Sequence, residues 1–471
     1  MSTFSGLGSA LSALAAQQRG IDVAGQNIAN VNTAGYSRQQ VVLESVGPPA
    51  NPAIWSPYTG IGGGVDVATI QRVSDFLLQG RSQTEHGQSG YLTTRQVAMG
   101  TVETSFNEPS DNGVQASLAD LWASWHDVAN NPGDTAVRGV AIASAQTVVD
   151  GLHSAASGLS AQWTANRSTV DTMVRSVNDT AASVAALNVT IMRNTQAGLP
   201  TNELLDQRDQ MILSLSDSVG ATARTGADGS VDVFVGGTAI VSGSTARTLQ
   251  VSGGSNLASA ATDPIVLTWN GATYPASVTG GQLAAVVETA NVIVPTYLAK
   301  LDAVAANLAS KVNAVQAGGY DQAGAAGGPM FSGTTAASLT LAISDPSKLA
   351  ASAVAPTTDP VTGLPVPNLD GSNADAMASL ATDTTGPDSM YRTLVAGLGA
   401  DAASSNQRAS VQKLTTTSVD SARQAQSAVN LDEEMVNLMT YQHAYEGASR
   451  VINSVDSMLD TLINRTGLVG R

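Results

Sequence analysis

The sequence predicts an α+β chain that is mainly α-helical, on three observations. Apolar residues recur at helical spacing over both ends. A nearly unbroken helical pattern runs from Thr135 to about Gln196, and a period-two segment after Gly220 carries Gly236-Gly237 and Asn270-Gly271 turns. The expected architecture has long N- and C-terminal helices pairing as a coiled coil, an elongated helical-bundle domain and a β-rich insertion.

At the N-terminus, Phe4, Leu7, Leu11, Leu14, Gln18, Ile21, Gly25 and Ile28 follow alternating steps of three and four, which is a heptad seam. Arg19 and Asp22 are the only charged side chains before Arg38. A helix facing water normally carries Lys and Glu on its outer face; small neutral residues there permit other helices to approach. The other reading of the same pattern is a buried helix within one globular domain. At the C-terminus, Leu431, Met435, Leu438, Gln442, Tyr445, Ser449, Ile452, Asp456, Leu459 and Ile463 keep the same steps, with Val451, Val455, Met458 and Leu462 widening the apolar face. Gln18 and Gln442 either set register or sit at the edge of their seams. Segments this short and apolar are expected to order only against partners.

Between the ends, Val65 to Ile70 alternates as a strand, and a helix is expected from Arg72 to about Phe106. Val114, Leu118, Leu121, Trp122, Trp125 and Val128 mark one face of a helix starting near Ser110. Asn130 to Asp134 is a turn. The helix from Thr135 to about Gln196 is expected to break near Gly158, and Gly198 with Pro200 ends it. Thr201 is placed to cap the next helix, and Pro295 to kink one running from Gln282 to Ala317. From Ala374 the chain reads as helix with a break around Gly386-Pro387. The expected domains are nested: 1–36 with 430–471 for assembly, 37–220 with 283–323 and 371–429 for the elongated body, 221–282 for the β-rich insertion, and 324–370 for a small β and loop segment.

Composition narrows the function. With 471 residues, core size is not limiting, and two to four compact units are expected. A net charge of −16 without Lys/Arg clusters argues against nucleic acid. No apolar run suggests membrane insertion, and the N-terminus lacks the basic and continuously apolar regions of a secretory signal peptide. The absence of cysteine removes disulfides, thiol nucleophiles and thiolate metal sites.

Catalytic, cofactor and metal constellations are also lacking. Gly60 to Val65 precedes a strand and carries no following Lys-Ser/Thr, unlike a phosphate loop. His86, His126, His153 and His443 show no metal spacing, and His443 with Glu446 reads as a solvated helix pair. Asp206 to Asp209 reads as packing and hydrogen bonding at a helical interface, and Trp122 and Trp125 as core. Asn166, Asn178, Asn188 and Asn464 match a glycosylation sequon that arises often by chance.

The stretch "LGSALSALAAQQRGIDVAGQNIANVNTAGYSRQQ", centred on Ala29 to Tyr36, resembles the N-terminal signature of bacterial flagellar rod, hook and hook-associated axial proteins. The segment "VNLDEEMVNLMTYQHAYEGASRVINSVDSMLDTLIN" is similar to the matching tail of that class. Internal segments from Ser110 to Leu152 and from Asn202 to Gly220 resemble hook-associated members, not rod or hook subunits. The resemblance implies a structural, non-enzymatic axial subunit at the hook–filament junction, polymerising through its terminal helices and binding no cofactor.

It further implies a ring of copies at the hook tip, contacts with hook protein and with the next, filament-side hook-associated protein, and an export chaperone on the C-terminal helix. The location would be extracellular, reached without a cleaved signal peptide. Under this resemblance the assembly contacts are Phe4, Leu7, Leu11, Leu14, Gln18, Ile21, Ile28, Asn30, Thr33, Gly35, Tyr36, Leu431, Met435, Leu438, Gln442, Tyr445, Ile452, Leu459 and Ile463. Gly35 is placed for a left-handed helix end, with Tyr36 packing back on the helix. Another axial subunit, or an exported glycan-binding or enzymatic module in the β insertion, are the alternatives.

Overall fold

The computed structural model describes residues 3–47, 63–226, 228–355, 357–363, 365–366, 369–461 and 463. The first helix, α1 (Thr3–Ala29), leads into an antiparallel hairpin of β1 (Gln39–Val46) and β2 (Gly64–Arg72), paired from Gln39↔Arg72 to Val46↔Gly64 with a bulge between Val42 and Leu43. Gly60 to Gly62 lie outside the described residues; Gly64 opens a strand, not a helix.

The body is built from α2 (Phe76–Phe106), α3 (Val114–Asn130), α4 (Thr135–Gln196) and α5 (Asn202–Val219). Helix α2 begins at Phe76, later than expected, because Asp75 caps it by accepting from the Leu77 and Leu78 amides. Helix α3 likewise starts at Val114, after Gly113, and not near Ser110. Its predicted face is buried: Leu118, Leu121, Trp122, Trp125 and Val128 all lie in the core. Asp134 caps α4 through the Ala136 and Val137 amides. At 62 residues, α4 extends on the order of 90 Å.

The expected break at Gly158 is absent. A Cβ there would lie 3.0 Å from the Ser105 side chain, so this glycine lets α2 cross closely and does not interrupt the helix. Gly198, at φ +69°, turns the chain after α4. Thr201 precedes α5 but makes no side-chain cap bond.

The chain leaves the body at Gly220 and returns at Gly281, both with positive φ. A Cβ on Gly220 would lie 2.9 Å from the Gly280 Cα, so the two ends of the insertion run back to back. Between them, β3 (Thr222–Thr225), β4 (Val231–Val235), β5 (Thr238–Ser242) and β6 (Thr245–Ala246) form one antiparallel sheet. The strands β7 (Leu249–Ser252) and β8 (Val266–Trp269) form another. Gly236 and Gly237 make the β4–β5 turn with φ +54° and +82°. Asn270-Gly271 follows β8, which meets the returning chain in a single bridge, Thr268 to Pro275.

Two asparagines from sequons pin this insertion to α4. Asn178 Nδ2 donates to the Leu249 carbonyl at 2.9 Å and its Oδ1 accepts from the Leu249 amide at 2.8 Å. Asn188 does the same for Val231 and also reaches the Gly243 carbonyl. Their amides are therefore engaged in packing; Asn464 lies outside the described residues.

The return helix divides into α6 (Gly281–Glu288), a π turn over Thr289–Ile293 and α7 (Val294–Ala317). Pro295, where a kink is expected, is the second residue of α7, and the helical irregularity is the π turn that ends at Ile293. The Ala290 carbonyl within it accepts from Trp163 Nε1 at 2.9 Å. Residues Gly281–Ala317 are long and apolar enough by composition to cross a bilayer, but Leu283, Val294, Leu301, Leu308 and Val312 sit fully inside the core.

Short pairs β9 (Phe331–Ser332) with β10 (Thr340–Leu341), and β11 (Thr357–Thr358) with β12 (Pro365–Val366), follow. Arg138 of α4 holds this segment by donating to the Leu349 and Pro346 carbonyls. Helix α8 (Ser372–Ala378) precedes α9 (Pro387–Ser427), whose start after Gly386 is where the sequence breaks. A second break, at Ala428–Asn430, was not foreseen: Asn430 caps a separate α10 (Leu431–Asp460) through the Asp432 and Glu433 amides. One hydrophobic cluster runs through α2–α9 and the insertion; among the described residues it contains none from α1 or α10.

Trp125 and Trp163 are both fully buried, but Trp125 Nε1 has no partner among the described residues. Replacing Trp163 with Phe orphans the Ala290 carbonyl, so W163F is expected to cost about 1–2 kcal/mol more than W125F by denaturant unfolding. Equal losses would mean the indole bond at the π turn contributes nothing.

Candidate assembly interface

The N- and C-terminal helices face each other. The side of α1 turned inward carries Gly6, Ser9, Ala13, Ala16, Gly20, Val23 and Asn27, which recur at steps of three and four and are buried or half-buried. A Cβ on Gly20 would fall 2.7 Å from the Tyr441 ring, so the helices meet there in direct contact. The hairpin covers a neighbouring side: a Cβ on Gly64 would lie 2.2 Å from Ser12 Oγ and 3.1 Å from Ser9 Cα.

On α10 the covered positions are Glu434, Leu438, Tyr441, Tyr445, Ala448, Ser449, Ile452, Val455 and Leu459. These overlap the predicted seam at Leu438, Tyr445, Ser449, Ile452 and Leu459. Met435, Gln442 and Asp456 are exposed, and the neighbouring Glu434, Tyr441 and Val455 are covered in their place.

Asn27 is the polar centre of the pair. It is 1% exposed, and all four of its hydrogen-bonding positions are used. Its Oδ1 accepts from the Gln39 amide at 2.9 Å and from the Tyr36 hydroxyl at 2.9 Å. Its Nδ2 donates to the Gln39 carbonyl at 2.8 Å and to Glu434 Oε2 at 3.0 Å. One amide therefore joins α1, the following turn, β1 and α10. The Gln39 side chain extends the network to Glu203 and Asn202 on α5. Burial first, and then the carboxylates of Glu203, Asp206 and Glu434, push the Tyr36 phenol up to about 12, so it stays protonated and donating.

The turn after α1 is fixed by Gly35 at φ +78°. A Cβ there would also meet the Gln210 side chain, which would have to move. Asn30 donates to the Gln26 carbonyl and accepts from the Thr33 hydroxyl, closing the helix end. Ser37 then meets α5: its amide and hydroxyl donate to Asp206 at 2.9 and 2.8 Å. Arg72 lies between Asp206 at 2.9 Å and Asp209 at 2.5 Å. Burial opposes its charge, but the two carboxylates outweigh that and raise its pKa. Arg38 pairs with Glu433 at 2.6 Å, and its amide donates to the Ser427 carbonyl. The terminal pair is thereby tied to the body at a polar neck.

The predicted N-terminal seam points elsewhere. Leu11 is 52% exposed, Gln18 is exposed, and Leu7, Leu14, Ile21 and Ile28 are only half-covered. The side chain of Phe4 lies outside the described residues. On α10, Leu431, Met435, Val436, Met439 and Ile463 are exposed. Within the chain the structure joins Asn30, Thr33, Gly35, Tyr36, Leu438, Tyr445, Ile452 and Leu459 into the terminal unit. Leu11, Gln18, Leu431, Met435, Gln442 and Ile463 are left on its surface. Sequence reasoning missed Gly20, Asn27, Glu434 and Tyr441; the available signal was the second three-four series of small residues on α1. Among the described residues no group of three His, Asp or Glu side chains converges to hold a metal.

Comparison with known proteins accords with this geometry. The family described as "Flagellar hook-associated protein FlgK helical domain" matches residues 99–331. "Flagellar basal body rod FlgEFG protein C-terminal" matches 421–465, and "Flagella basal body rod protein" matches 7–36. The flagellar hook-associated protein 1 of Bacillus subtilis is 28% identical over the full length of both chains. That of Salmonella typhimurium is 31% identical over 51% of this chain and 43% of its own length, so it is matched over less than half of itself. The flagellar hook junction protein FlgK from Burkholderia pseudomallei has the same fold, with a TM-score of 0.63 at 17% identity over 73% of this chain and 99% of that one.

Paired terminal helices carrying axial-protein signatures around a helical body define a structural, non-enzymatic component of the bacterial flagellum. The chain belongs to the FlgK family of flagellar hook-associated proteins.

Replacing Asn27 with Asp removes both Nδ2 donations and sets a carboxylate against Glu434. N27D is expected to weaken the α1–α10 pair by about 3–5 kcal/mol, read as faster amide exchange in the last turns of α1. Unchanged exchange at neutral pH would remove Asn27 from the centre of the unit.

Proposed function

We propose that this chain forms the hook–filament junction by polymerising through the outward faces of its terminal helices. The observation that carries the reading is the exposed Leu11, with Leu7, Leu14 and Ile21 only half-covered, on a nearly uncharged helix that α10 and the hairpin also contact. A contiguous apolar stripe left facing water marks an interaction surface. Its partners in this reading are copies of itself in a ring at the hook tip, hook protein on one side and the next hook-associated protein on the filament side. The exposed Leu431, Met435 and Met439 of α10 suit an export chaperone before secretion, and export proceeds without a cleaved signal peptide. Residues 1–36 with 430–471 serve assembly; 37–220 with 283–323 and 371–429 form the body carrying the 221–282 insertion and the 324–370 segment.

Deleting residues from Asn430 onward should leave a folded body that no longer enters flagella, giving hooks without filaments and flagellin in the medium. Normal filaments and swimming in that strain would refute the junction role. A finer test is Leu11→Asp. It should change the melting of the isolated chain by less than about 0.5 kcal/mol, because the site is surface-exposed, yet abolish incorporation.

A further inference from the structure

His86 of α2 sits between two carboxylates from two other helices. Its Nδ1 is 2.9 Å from Asp217 Oδ1 on α5, and its Nε2 is 2.9 Å from Asp420 Oδ2 on α9. The close approach is built in. A Cβ on Gly90 would lie 2.4 Å from the Asp217 carbonyl, and one on Gly87 would lie 3.0 Å from the Gly220 Cα, so α5 can reach the imidazole only because α2 carries glycine at both positions. On the other side Asp420 is held by the Ser82 hydroxyl at 3.0 Å, with Arg423 Nε at 4.0 Å. The His86 side chain is 18% exposed.

A neutral imidazole has one N–H and one lone pair, so it can donate to only one of these carboxylates and must present its lone pair to the other. The imidazolium donates to both. We propose that His86 is a proton-operated clamp, which when charged locks α5 and α9 onto α2 and when neutral releases one of them. The position gives the clamp leverage: α9 passes through Ala428–Asn430 directly into α10, and the Ser427 carbonyl at its end bonds the Arg38 amide. The proton on His86 thus sets how firmly the body holds the limb that carries the C-terminal helix.

The groups around the ring agree with this. From α5 the ring faces Asp217, and from α9 it faces Asp420 with Arg423 behind it. On its own helix, Glu85 is taken up by Arg81 and by Gln412 of α9. The hydrogen bond to Asp217 raises the His86 pKa and burial lowers it, while the Asp217 charge and the hydrogen bond and charge of Asp420 add to the rise; the net direction is upward. A folded pKa above the ordinary value of about 6.5 means the stabilisation is complete below about pH 6.5 and is lost as pH rises through the folded value.

The test uses the full chain with 13Cε1-labelled histidine, whose four ring signals are assigned with His86→Gln, and hydrogen exchange of the α9 segment 412–427, corrected for intrinsic rates. His86 should titrate above about 6.5. Protection of 412–427 should fall as the pH is raised from about 6.5 to about 9; in H86Q it should be low at both pH values. Asp217→Asn, which retains the fold-defining glycines, should move the His86 titration downward and so provides the reading if H86Q does not fold. A His86 that titrates at or below about 6.5, or α9 protection with the same pH dependence in wild type and variant, would overturn the clamp.

Discussion

The terminal unit depends on how closely α1 approaches α10. Tyr441 lies against the backbone of Gly20, and any side chain at position 20 would push the helices apart. That contact dictates the arrangement of the rest of α1. Where the two helices are seen to touch, α1 presents Gly20 to Tyr441 and Asn27 to Glu434, with no large apolar side chain between them. Leu11 is left on an exposed side of the helix, and Leu7, Leu14 and Ile21 are only half-covered. The same geometry that completes the monomer leaves it with an apolar stripe.

Close packing of small residues contributes little apolar area, and the pair is instead fastened by a few saturated polar groups. Asn27 uses all four of its hydrogen-bonding positions in a buried setting, where losing any one partner is costly. Ser37, Arg72 and Asp206 continue that fastening into the body. Among the described residues the main hydrophobic cluster contains none from the terminal helices, so besides the covalent chain these polar links join the ends to the body.

Much of this was legible in the sequence. Helix α4 could be read because one face supplies the core over its whole length and Asp134 caps it. The hairpin ends and the Gly35 turn announced themselves through glycine. The misreadings have physical causes. Gly158 looked like a break because a glycine used for close approach is indistinguishable from one used for a turn until Ser105 is seen beside it. The α10 seam was displaced by one position because Leu, Met and Val occupy a wide arc, and several three-four series fit it. On α1 large apolar residues draw the eye to the heptad seam, since apolar size usually marks the core, whereas the position against Tyr441 is a glycine. Asn27 stands in a run rich in Asn and Gln, and only its four partners, up to 407 positions away, distinguish it. His86 is equally silent, since its carboxylates are 131 and 334 positions distant.

Two faces of α1 meet different surroundings, and the absence of cysteine makes them separable with single thiols. Leu11→Cys should react freely with a maleimide in the dilute chain and become protected by at least about tenfold in isolated flagella, while Ala24→Cys, buried against its own chain, should be slow in both. Equal reactivity of Leu11→Cys in the free and assembled states would contradict the assignment of the aliphatic stripe to neighbouring subunits.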